Sequence, residues 1–172
     1  MHRLDYEFFH RPCLEVAKDL VGKVIVHESP QGVLSMRISE TEAYCGECDT
    51  ACHAHKGRTP RTEVMYGRAG TLYVYLCYGM HWLMNIVTGE QEQPEAVLIR
   101  ACVEASGPGK LTKALRIHGQ MNRQSVCDGG VLWIADDGYA CNVKTGKRVG
   151  IGYAAQDDQD RPWRFIMDVP DR

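Results

Sequence analysis

A chain of 172 residues, 44% hydrophobic and 24% charged, has the profile of one soluble globular domain over 1–172, able to bury about 70% of the surface its unfolded form exposes. A formal charge of −2 excludes strong non-selective nucleic-acid binding but leaves room for a basic patch on one face. No apolar run approaches the ~18 residues of a membrane helix, and the opening residues lack the apolar stretch of a secretory signal, so the expectation is a cytoplasmic protein whose eight cysteines are thiols or metal ligands.

In chain order, Pro12 suits a first helical position, with Cys13, Val16, Ala17 and Leu20 following at helical spacing. Residues 23–27 read as a strand, 29–32 as a turn, and 33–43 as a second strand. A polar loop runs over 44–70. Residues 71–78 and 82–88 are β-branched and aromatic around Gly79-Met80-His81, which predicts a β-hairpin. A strand over 96–104 leads through Gly107-Pro108-Gly109 into a short helix carrying Leu111, Ala114 and Leu115, with Gly119 as its cap. Further strands are expected near 131–135 and 147–152. Helices placed early and in the middle, with strands in hairpin-like runs, predict a single mixed α+β domain with a largely antiparallel, curved sheet.

Three segments carry chemistry. Strand alternation puts Glu40, Glu42 and Tyr44 on one face, which suits either general-base chemistry beside an aromatic platform or an ordinary solvated strand. The loop Cys45-Gly46-Glu47-Cys48-Asp49-Thr50-Ala51-Cys52-His53-Ala54-His55 holds enough soft ligands for zinc but matches no common zinc spacing. Unligated thiols plus one functional histidine is the preferred reading, and no metal is assigned. Tyr73 and Tyr75 share a face of the hairpin and Tyr78 stands at its tip, where an aromatic is the type of wedge that enters between base steps from the minor groove. Lys56, Arg58, Arg61 and Arg68 precede the hairpin against Glu63 alone, and Lys110, Lys113, Arg116 and Arg123 follow the Gly-Pro-Gly turn without a nearby acid. These basic residues are candidate phosphate contacts.

The strings RISETEAY (37–44), ACH (51–53), TPR (59–61), GTLYVYLCYGM (70–80), MNI (84–86), VLIRA (97–101), GPGKL (107–111) and RVGIG (148–152), in this order, closely resemble the alkyladenine (3-methyladenine, N-methylpurine) DNA glycosylase family over almost the whole chain. The resemblance implies an enzyme of base excision repair that flips a damaged purine from double-stranded DNA and hydrolyses its N-glycosidic bond, leaving an abasic site. The implied substrates are 3-methyladenine and 7-methylguanine, with hypoxanthine or ethenoadenine as further candidates. It implies Glu42 as general base, with Arg100 and the backbone at Val149 positioning the water. Tyr44, His53, Tyr75 and Asn85 would form the base pocket; Tyr78, Met80 and His81 would intercalate; Arg58, Arg61 and Lys110 would contact phosphates. No lysine matches a Schiff-base nucleophile, so the expected enzyme is monofunctional, needs no cofactor, and works as a monomer in the cytoplasm, with the nucleoid if the source is bacterial. His81, Thr62-Glu63, Ala69 and Ser39 depart from the family's usual residues. The rival readings are a non-catalytic binder of distorted DNA and a zinc-dependent module on the cysteine loop.

Overall fold

The computed structural model describes residues 1–169. A short strand β1 (His2–Arg3) and helical turn α1 (Tyr6–Phe9) precede helix α2 (Cys13–Leu20). Pro12 sits one place outside that helix, at its N-cap. The cap bond comes instead from a distant side chain, with Cys13 N–H donating to Glu95 Oε1 at 3.2 Å. Strands β2 (Val24–Ser29) and β3 (Gly32–Tyr44) form a hairpin on the expected turn. Two 3-10 turns, His53–Lys56 and Glu63–Tyr66, punctuate the long loop. Then come β4 (Leu72–Cys77), β5 (His81–Thr88), β6 (Glu95–Cys102), α3 (Pro108–Ala114), β7 (Leu132–Asp136), β8 (Asn142–Gly146), α4 (Gln156–Asp160) and β9 (Arg164–Asp168).

The strands pair in the order β1-β7-β2-β3-β6-β5-β4, with β9 added to β3 and β8 to β9, and every pairing is antiparallel. The architecture is therefore α+β with a largely antiparallel sheet, as expected. The long strand β3 joins its two halves. Residues 32–37 pair with β2, whereas 38–44 pair with β6 and 40–42 with β9. The register slips on both sides of Glu40, a bulge of the kind that bends a strand and re-aims its side chains.

The two faces of β3 to β6 have different jobs. On one face Ile38, Leu72, Val74, Met84, Ile86 and Ile99 pack with Phe9, Leu20, Leu111 and Leu115 in the main core. Thr41 is wholly buried on that side, its hydroxyl donating to Ala17 O at 2.6 Å and so fastening β3 to α2. On the opposite face Tyr73, Val87 and Ala96 meet Cys52, Ala54, Val64 and Met65 of the 45–70 loop in a second cluster, with Tyr44 and Tyr75 packed against it. The loop is thus a packed cover over half a sheet.

Three expectations need correction. Residues 147–152 form no strand; the last antiparallel pair is β8 with β9, of which β8 is polar and largely exposed, while β9 alternates and buries Phe165 and Met167 in the main core. Gly119 does not cap α3, which closes at Leu115. It opens a 3-10 turn, Gly119–Met121, and lies so close to the indole of Trp82 that no side chain would fit. Glu63 is not the only acid beside the first basic group: Arg58 pairs with both Glu63 and Glu92, and Arg68 with Asp128 at 2.7 Å.

Gly70 turns the covering loop into β4 with φ +82°, and a Cβ there would overlap the Cys127 sulfur. Both the backbone conformation and the space demand glycine. Gly70→Ala should destabilise the protein by about 2 kcal/mol, read as a lower urea midpoint with an unchanged slope.

Candidate active site

Glu42 is the centre of the site. Alternation along β3 turns Thr41 and Ala43 towards the core and Glu40, Glu42 and Tyr44 to the other face, as the sequence predicts. The Glu42 side chain has no exposed surface, and a buried carboxylate must be met by donors. Its Oε1 accepts from Val149 N–H at 2.9 Å and its Oε2 from the Tyr44 hydroxyl at 2.7 Å. Arg100, from β6, brings its Nε within 3.5 Å of Glu42 Oε1 and 3.8 Å of Glu40 Oε2. Arg164 also reaches Glu40, at 3.4 Å. Each carboxylate oxygen of Glu42 keeps a second lone pair for a further donor such as water. Burial and the adjacent Glu42 push the Tyr44 phenol well above its ordinary range, so it stays a donor.

Beside this carboxylate, Tyr44, His53, Tyr73, Tyr75 and Asn85 surround a cavity of about 40 Å³. It shares Tyr44, His53, Tyr75 and Tyr153 with a surface groove of about 700 Å³ that runs past Arg100, Val149, Lys110 and the tip of the β4–β5 hairpin. The rings are in contact: the centroids of Tyr73 and Tyr75 lie 5.1 Å apart and those of His53 and Tyr75 4.7 Å. The His53 ring is fixed by a hydrogen bond between Nδ1 and the Tyr73 hydroxyl at 2.8 Å. Asn85 donates to Tyr73 O at 3.2 Å. The guanidinium of Arg61 lies 4.9 Å from the centre of the Tyr75 ring, at the mouth of the cavity.

At the hairpin tip Tyr78 is 92% exposed and Met80 74%. Tyr78 and Gly79 both have positive φ, +51° and +64°, and Met80 N–H donates to Cys77 O at 3.1 Å. A tyrosine in the left-handed region is strained, since that position favours Asn or Gly. His81 packs its ring against Gly109, at the start of α3.

The structure therefore brings Glu42, Arg100, Val149, Tyr44, His53, Tyr75 and Asn85 into one site, with Arg61, Tyr78, His81 and Lys110 along the adjoining groove. Arg58 stands apart, held by its two carboxylates and stacked on Tyr66. The soft ligands of the 45–55 loop disperse: Cys45 Sγ lies 2.6 Å from Cys13 Sγ, Cys48 Sγ donates to Cys45 O, and His55 Nδ1 meets Glu47 O. Among the described residues no group of three or more His, Cys, Asp or Glu is placed to hold a metal ion. Tyr73, which the sequence placed only on a shared face with Tyr75, and Tyr153 also line the site, and the buried pair Arg148–Asp49 adjoins it beside Tyr44; none of these was assigned a site role from the sequence. The Tyr73–Tyr75 alternation was a usable signal for the first, whereas nothing local marks the ion pair.

Burial, with the nearby positive charge of Arg61, lowers the His53 imidazole to about 4. In the unfolded chain the same ring takes its proton near 6.5, so between these values the unfolded state binds more protons and stability falls as pH falls. Urea unfolding should show this decline between about pH 6.5 and 4, and His53→Gln should flatten it in that window.

A sequence profile of the family described as Methylpurine-DNA glycosylase (MPG) matches residues 7–104 and 103–170. The chain is 44% identical to a protein of Methanocella arvoryzae over 94% of its own length and 90% of that protein's. It is 42% identical to one of Desulfitobacterium hafniense over 98% and 96%, and 45% identical to one of Psychrobacter cryohalolentis over 86% and 84%. All three carry the name "Putative 3-methyladenine DNA glycosylase". With matches of this extent, the chain belongs to the methylpurine-DNA glycosylase family.

Proposed function

We propose that this hydrolase of N-glycosyl bonds releases alkylated purines, 3-methyladenine and 7-methylguanine first, from double-stranded DNA, using a water activated by Glu42. The observation that carries the reading is a solvent-free carboxylate, met by Val149 N–H, the Tyr44 hydroxyl and Arg100, beside an aromatic cavity that opens on a groove. Stacked duplex hides the anomeric carbon, so the nucleotide must first be extruded. Tyr78, exposed at the strained tip with Met80 and His81 beside it, supplies the wedge that fills the vacated place in the stack. Arg61 and Lys110 in the groove contact phosphates, whereas Arg58 is spent on Glu63 and Glu92.

The extruded base stacks between Tyr44 on one side and His53 and Tyr75 on the other. The main-chain amide of His53 reads the purine edge, and Asn85 hinders the amino group of normal guanine. Water attacks C1′ while Glu42 takes its proton, and the bond to the purine breaks with both electrons leaving on the base. The carboxylate also stabilises the positive sugar that forms on the way. Arg100 and the backbone at Val149 hold the water. A cationic alkylpurine departs as a neutral base and needs no acid. His53, with its proton lost above about 4, is no acid for neutral lesions at pH 7, which ranks hypoxanthine and ethenoadenine behind the alkylpurines. No helix among the described residues is long and apolar enough to cross a membrane; a DNA substrate would place the enzyme in the cytoplasm, with the nucleoid if the source is bacterial.

Glu42→Gln should lower single-turnover release of 7-methylguanine from duplex DNA by about a thousandfold or more while leaving lesion binding within a few-fold. Equal rates in the two proteins would remove Glu42 from its role. Tyr78→Asn should raise stability by roughly 0.5–1 kcal/mol by relieving the left-handed tyrosine. It should at the same time slow base release from duplex far more than from single-stranded DNA, measured on matched oligonucleotides.

A further inference from the structure

Segment 147–152 supplies the Val149 amide that holds Glu42, yet it belongs to no strand or helix. Ladder hydrogen bonds therefore cannot place that amide. At its ends the segment is tied by Arg164 Nε to Lys147 O at 2.8 Å and by Gln159 Nε2 to Gly152 O at 3.3 Å. Beside Val149 itself the tie is Arg148, whose side chain, like that of Asp49, has no exposed surface.

Arg148 makes a forked pair with Asp49: Nη1 donates to Oδ2 at 2.6 Å and Nη2 to Oδ1 at 2.9 Å. Nη1 also donates to Ala43 O at 3.0 Å, the carbonyl between Glu42 and Tyr44, and Nη2 to Asp158 O at 3.2 Å. Asp49 is anchored in turn by Cys45 N–H at 3.0 Å and Ala51 N–H at 3.1 Å, from the loop that carries His53. The guanidinium lies 4.9 Å from the centre of the Tyr44 ring. One planar fork thus joins the end of β3, the pocket loop and residue 149.

We propose that Arg148 and Asp49 are positioning residues: their buried pair pins the 148–149 backbone to the end of β3 and so holds the Val149 amide on the Glu42 carboxylate. The proposal rests on the reading of Glu42 as the base. A buried ion pair is a poor source of net stability, because desolvation offsets most of its attraction, and apolar replacements are often as stable. Its distinctive product is direction, since a guanidinium fork accepts a carboxylate in one plane and fixes both partners. A lysine keeps the charge but not the fork.

The test compares wild type, Asp49→Asn, Arg148→Lys, Arg148→Met and the remote core variant Ile134→Ala, all below their melting temperatures. Three quantities are measured: single-turnover release of 7-methylguanine at saturating enzyme, affinity for a duplex holding a tetrahydrofuran abasic analogue, and hydrogen exchange of the peptide containing Val149. Asp49→Asn should slow release tenfold or more, keep duplex affinity within about threefold, and speed exchange at Val149. Arg148→Lys should lie between wild type and Arg148→Met in both rate and exchange. Ile134→Ala, destabilised but distant, should keep the wild-type rate.

If Asp49→Asn does not fold, the ordering of Arg148→Lys against wild type carries the same decision. The proposal falls if rate is kept while exchange rises, if exchange at Val149 is unchanged, or if Ile134→Ala loses as much rate as Asp49→Asn. A wild type that releases no base would sink the reading of Glu42 alone; accelerated exchange in Asp49→Asn would still uphold the tether, and unchanged exchange would remove it.

Discussion

A carboxylate taken wholly out of water is the constraint around which this structure is arranged. Leaving such a group without donors costs several kcal/mol, and no neighbour in sequence except Tyr44 can serve Glu42. The remaining partners are a positive charge from β6, Arg100, and a donor from the irregular segment after β8, the Val149 amide. Those positions are 58 and 107 residues along the chain from Glu42. The fold must therefore close correctly over most of its length before the carboxylate is satisfied, which couples the site to the integrity of the whole sheet.

The sheet makes this possible by giving its two faces different tasks. Alternation along β3 and β4 sends Thr41, Ala43, Leu72 and Val74 to the helices and Glu42, Tyr44, Tyr73 and Tyr75 to the cover loop. A core face would be served best by aliphatic residues. The tyrosines stand where a surface is needed that is apolar in its body and polar at its tip, so that one ring can hold another (Tyr73 with His53) or a carboxylate (Tyr44 with Glu42). The bulge at Glu40 bends β3 where its pairing passes from β2 to β6 and β9, and it places Glu40 and Glu42 against the same arginine.

Much of this was legible because period-two alternation and turn chemistry are local. The 33–43 strand, the hairpin around Gly79 and the shared face of Glu40, Glu42 and Tyr44 all follow from neighbours in sequence. What escaped depends on distant partners. Arg58 reads as a free cation until folding brings Glu92 beside Glu63, and Arg68 until it brings Asp128. The sequence RVGIG looks like a strand, but its residues spend their hydrogen-bonding groups on Glu42, Asp49 and Ala43. Gly119 resembles a helix cap, and only the approach of Trp82 reveals its purpose. Residues picked out through family strings lie together in space, whereas the Arg148–Asp49 ion pair beside them carries no local mark.

The electrostatics of the cavity bear on how lesions would be told apart. Burial drives the Tyr44, Tyr73 and Tyr75 phenols upward and the His53 imidazole down to about 4. At neutral pH the pocket is thus walled by uncharged rings that are weak acids. A wall of that kind attracts a cationic purine through its π-faces, but Arg61 already sits over Tyr75 and offsets part of that attraction. On the proposed function, binding alone would be a shallow filter. The steeper one is departure: an alkylated, positively charged base leaves with its electrons and becomes neutral, while an intact purine must leave as an anion with no strong acid beside it. On the proposed chemistry, selectivity lies in the bond that breaks more than in the pocket that receives it, and a site poor in acids protects the normal bases that enter it.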